Sequence, residues 1–86
     1  MAFMSSRIHP SWTVVESVHT PEADRCVDVF SRPDGTWGFE EFRRDAEDMG
    51  RWTPLWHYAA TAYGSRAEVI AAATRLVTWL GPLLDQ

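Results

Sequence analysis

Arg25-Cys26-Val27-Asp28-Val29-Phe30-Ser31-Arg32-Pro33-Asp34-Gly35-Thr36-Trp37-Gly38-Phe39 contains two alternating runs joined by a turn. Pro33 presets φ at the first central turn position, Asp34 suits the second, and Gly35 supplies a left-handed residue. Such a turn between two strand-like runs is a hairpin. At period two, Val27 and Val29 face one way, and Cys26, Asp28 and Phe30 face the other. The strand after the turn runs from Thr36 to Arg44. It places Trp37 and Phe39 on one face and Phe42 on the opposite one. Its far end, Glu40, Glu41, Arg43 and Arg44, reads as solvated and salt-bridged. Apolar groups on both faces imply a central position or a second covering surface.

Upstream, residues 1–10 read as an N-terminal arm ending at Pro10. Trp12 to His19 reads as a strand with Trp12, Val14 and Val18 on one face. Thr13, Ser17 and His19 lie on the other, and Val15 breaks the alternation. Thr20 to Asp24 is a polar break. Downstream, Asp45 to Arg51 reads as an exposed loop. Pro54 confines any strand there to an edge or a strand start. Residues 55–62 fit a fourth strand, with Trp56 and Tyr58 on one side and His57 on the other. Their Ala residues also fit a helix. Ser65-Arg66-Ala67-Glu68 matches a capping box, in which the Ser hydroxyl takes an orphan N–H and the Glu reaches back to the cap. Val69, Ala73, Leu76 and Leu80 then share one helix face, with Ile70 and Val77 beside them. Gly81-Pro82 is expected to end this helix, leaving 83–86 as a tail. The expected fold is one α+β domain over 11–82. It has an antiparallel sheet of three or four strands and one C-terminal helix packed on one face.

Pro33-Asp34-Gly35-Thr36-Trp37-Gly38-Phe39, Tyr63-Gly64-Ser65 and the Ala-rich helix carry a resemblance. From about Val27 to Leu76 the chain resembles the small bacterial YegP-like module, whose layout is ββ(β)α. There a D-G turn leads into an aromatic strand, and a Y-x-S-like element opens the helix. Where that family has an Asn-Gly turn, this chain has the loop Asp45 to Gly50. The resemblance implies a fold and a bacterial setting, and no activity.

At 86 residues the chain is too short for two ordinary domains or a large doubly wound or barrel enzyme. One Cys excludes an intrachain disulfide. No apolar run nears the roughly 18 residues that span a bilayer. Met1 to Pro10 has no apolar core of a secretory signal, so a cytoplasmic location is expected. The net charge of −4 suits poorly the counterion release that drives phosphate binding. All eight cations are Arg, scattered without patch-like spacing, as GC-rich coding would leave them.

No metal or cofactor is expected. His9, His19, His57 and Cys26 lack the close ligand pairs of a structural zinc site. Gly35-Thr36-Trp37-Gly38 lacks the spacing and the Lys of a phosphate loop. Glu40, Glu41, Asp45, Glu47 and Asp48 lack calcium-loop spacing. No catalytic residue is assigned, and Cys26 reads as a small buried hydrophobe. One helix covers one sheet face, so an aromatic face is left for the arm, for the 45–54 loop, or for a second subunit. The leading expectation is therefore non-catalytic association, with another protein or as a homodimer. Phe30, Phe42, Trp52, Trp56 and Trp79 are the candidate interface residues. The alternative is a nucleic-acid-binding module using sheet Arg and aromatic residues; a small enzyme comes third.

Overall fold

The hairpin turn forms as its residues dictate. Gly35 has φ +89° and donates to the Arg32 carbonyl, while Arg32 N–H donates to the Thr36 carbonyl. The computed structural model describes residues 9–45 and 50–84. Most of the expected arm, residues 46–49 of the expected loop, and residues 85–86 lie outside these. The turn joins β2 (Arg25–Ser31) to β3 (Trp37–Arg44). β1 (Thr13–His19) lies outside β2, and β4 (Trp52–Pro54) outside β3. The result is one antiparallel sheet in the order β1-β2-β3-β4. The expected α+β architecture is present, with four strands.

Register explains the misfit at Val15. Val14 pairs with Phe30, but Glu16 pairs with Val29, so Val15 is the extra residue of a β-bulge. One inserted residue reverses the alternation beyond it. Trp12 and Val14 therefore pack with Phe30 and Phe42, whereas Val15 and Val18 pack on the opposite side with Val27 and Val29. The expected common face of Trp12, Val14 and Val18 is corrected by this bulge.

The helical layer covers the Val27–Val29–Phe39 face. α1 (Arg66–Leu76) buries Val69, Ala72 and Ala73 against it. Ser65 caps α1 by accepting the Glu68 N–H at 3.1 Å. The Glu68 carboxylate reaches one residue further back than expected, taking the Gly64 N–H at 3.0 Å.

The single helix expected to reach Gly81-Pro82 is instead two. α1 ends at an extended Val77, and α2 (Leu80–Leu84) begins three residues later. In one continuous helix Pro82 would remove the hydrogen bond to the Thr78 carbonyl and its ring would clash there. Restarting at Leu80 puts Pro82 in a first turn, where its missing N–H has no partner to lose. Gly81 lets α2 approach α1, since a Cβ there would sit 3.2 Å from the Thr74 methyl. Leu83 and Leu84, expected in a tail, belong to α2, and Leu84 packs against the core. Leu76, expected inward, is 44% exposed, and Val77 takes the inner position. Among the described residues, no helix is long and apolar enough to cross a membrane.

Candidate functional site

Between Arg51 and Arg66 the chain contains no Asp, Glu, Lys or Arg. β4 stops inside this stretch at Pro54, which has no N–H to continue a ladder. Leu55 still donates to the Glu41 carbonyl at 2.9 Å. Pairing with β3 resumes only at Tyr63, which exchanges two hydrogen bonds with Trp37. Residues 55–62, left between strand and helix by the sequence, are neither. They form a strap along the edge of β3.

The strap grips that edge from both faces. Tyr58 stacks on Phe39 on the helical side, ring centres 4.7 Å apart. Ala59 packs with Cys26, Phe30 and Phe42 on the other. Burial of the Tyr58 phenol, with Glu41 and Glu40 close by, raises its pKa above the usual tyrosine value.

A loop so placed must satisfy its peptide groups without a strand ladder. Two side chains do this, one on β3 and one in the turn after β2. Glu40 is fully buried, and its carboxylate accepts four backbone N–H groups. Oε1 takes Tyr58 at 3.2 Å and Ala59 at 2.9 Å; Oε2 takes Glu41 at 2.9 Å and His57 at 3.3 Å. Charge-assisted bonds of this kind are how a buried carboxylate is tolerated. Arg32 supplies the complementary donors, to the carbonyls of Ala59 and Thr61 in the strap and of Trp37 in β3. Its guanidinium lies 4.5 Å from the Trp12 ring centre and 5.1 Å from that of Phe30. Gly38 makes room for it, because a Cβ there would lie 2.6 Å from Arg32 Nη2 and 2.7 Å from Phe30 Cε1.

At the head of the strap stands Trp56. Its φ is +59°, a region costly for a bulky L-residue, and its side chain is 70% exposed. His57 beside it is also exposed. A large aromatic displayed within a run of uncharged residues has the composition of an interface centre.

The other candidate interface residues are placed differently. Phe30 and Phe42 are fully buried within the chain and have no surface to present, which corrects their assignment. Trp12 and Trp52 pack over them. Trp52 is half-buried, with the Arg44 guanidinium 5.0 Å from its ring and His19 edge-on to it. Trp79 is half-buried and donates its indole N–H to Glu41 Oε2 at 2.9 Å. Trp56 alone of these five projects outward.

A second polar cluster lies under the same sheet face. Asp28 is fully buried; it accepts the Ser17 hydroxyl at 2.7 Å and the Cys26 thiol at 3.2 Å. Both donors belong to neighbouring β-positions, so the cluster serves to satisfy a carboxylate inside the core. Among the described residues, no three His, Cys, Asp or Glu side chains come together as a metal site would require. The arginines of the sheet do not gather into one patch. Arg25 pairs with Glu41, Arg43 with Asp45, and Arg66 of α1 with Glu16. Arg32 and Arg44 lie against indole rings on the opposite face.

Comparison with family models, curated proteins and solved structures finds no match to this chain. The YegP-like resemblance therefore rests on its motif residues alone.

Sequence reasoning placed Glu40 at a solvated strand end and so missed its role. The alternation held the signal, since Glu40 shares a face with Asp28, Phe30 and Phe42. The uncharged interval from Trp52 to Ser65 was the second unused signal.

Proposed function

We propose that the chain is a non-catalytic association module that pairs with a second copy of itself through the strap, with Trp56 as the anchor. The observation that carries this reading is the 70% exposure of Trp56 at positive φ in a stretch without charged residues. A two-fold contact sets one patch against itself, so a charge close to the axis would meet its own copy. A charge-free strap escapes that repulsion although the chain as a whole carries −4. Sedimentation equilibrium tests this directly. The native chain is expected to show a dimer at high micromolar concentration, and Trp56→Ala a monomer. A strict monomer for the native chain would sink the homodimer.

An exposed indole also favours the alternative, base stacking on single-stranded nucleic acid. The pairing of Arg25, Arg43 and Arg66 with carboxylates weighs against it. A salt-dependent shift on adding single-stranded RNA or DNA would support that alternative, and no shift at low salt would end it.

A further inference from the structure

Trp56 occupies a backbone conformation, φ +59°, that an L-residue disfavours. Something outside the residue must hold it there. The apolar contacts of the strap are those of Tyr58 and Ala59, which grip the edge of β3 beyond Trp56. Between them and the indole lie the peptide groups of His57, Tyr58 and Ala59, and all three N–H groups end on one carboxylate. We propose that Glu40 is the positioning residue for Trp56. Its carboxylate, reaching out from under the sheet, gathers the three N–H groups and imposes the turn that sends the indole outward.

The geometry makes this depend on both oxygens. Oε1 and Oε2 each accept two N–H groups, so an ionised carboxylate matches four donors. A glutamine keeps the length and shape but has one acceptor oxygen. In either orientation its amide N–H₂ faces two donors, either Glu41 and His57 or Tyr58 and Ala59. Arg32 remains on the carbonyls of Ala59 and Thr61, so the far end of the strap stays attached while its head is released. This proposal rests on the association reading for its biological meaning, and on hydrogen exchange for its proof, so the two can fail separately.

The experiment is amide hydrogen exchange by NMR on the native chain and on Glu40→Gln, with sedimentation equilibrium on both and on Trp56→Ala. The substitution is expected to speed exchange about ten- to a hundredfold at the pair of amides that meets the new N–H₂, either Glu41 and His57 or Tyr58 and Ala59, the range for lost bonds to a charged acceptor. Amides of β2 and α1 should keep their rates. Unchanged rates at 57–59 would overturn the proposal. Should Glu40→Gln fail to fold, the native chain decides alone. The amides of 57–59 exchanging at least tenfold more slowly than that of Ala60 supports the clasp, and equal rates overturn it. If exchange behaves as expected but Trp56→Ala sediments as the native chain does, association through Trp56 falls and Glu40 still sets the loop.

Discussion

The two faces of the sheet are both buried, yet they are held by different physics. Under the helices, Val27, Val29 and Phe39 meet Val69, Ala72, Ala73, Val77 and Leu80, and no charged residue is fully buried there. That face gains stability in proportion to the apolar area removed from water. On the opposite face Cys26, Phe30 and Phe42 share the interior with two carboxylates, Asp28 and Glu40, which are direct cross-strand neighbours. Like charges opposite one another are unfavourable, and each must be offset by its own donors. Asp28 takes hydroxyl and thiol donors from β1 and β2. Glu40 takes main-chain donors from the strap. An oily face specifies little beyond volume; a polar face specifies which segment must lie where.

Four substitutions sharpen or break this contrast. The largest effect is expected on the oily face. Phe39→Ala should cost about 3–5 kcal/mol, because a fully buried ring is lost and Tyr58 loses its stacking partner. Urea unfolding measures it, and a loss under about 1 kcal/mol would mean that this face is not the main core. On the polar face Asp28→Ala should cost about 2–3 kcal/mol, leaving the Ser17 hydroxyl and Cys26 thiol without that acceptor. A neutral or stabilising result in the same urea titration would show that the polar face is held by its aromatics alone.

Gly38→Ala comes next, at about 1–2 kcal/mol. Arg32 is a flexible end and can retreat from the new methyl, but the buried Phe30 ring cannot. The thermal midpoint should fall, and the crystal structure of the variant should show Arg32 withdrawn from the strap carbonyls. The smallest effect lies in the hairpin turn. The Thr36 hydroxyl and amide, both donating to Asp34, hold its carboxyl below the usual value of 3.8. A depressed folded value means the contribution is complete above the unfolded value and lost as pH falls through the folded one. Asp34→Ala should therefore destabilise slightly at neutral pH and make no difference in strong acid. Thermal melts of both chains at the two pH values decide this.

Much of the fold was legible because its signals are local. Pro33-Asp34-Gly35 fixed the hairpin, and Val27 and Val29 facing away from Cys26, Asp28 and Phe30 set the two faces of β2. Ser65 and Glu68 marked the start of α1. The failures share a cause. Val15 was an exception to a pattern until pairing with β2 revealed a bulge. Pro82 looked like a terminator, and the chain instead broke earlier and restarted, which depends on packing α2 beside Thr74. For the candidate site, Trp56 was named from sequence among five residues. Its separation from Phe30 and Phe42 required knowing what each one touches.

By itself, then, the order of residues determined the turn, the faces of β2 and the start of the first helix, because φ preferences, period-two alternation and capping act over a few neighbours. Only the tertiary structure decided that Glu40 is buried rather than solvated, and that an uncharged run becomes a strap rather than a strand. Three of the four donors that make this buried carboxylate tolerable come from residues seventeen to nineteen positions away, and nothing local to Glu40 announces them.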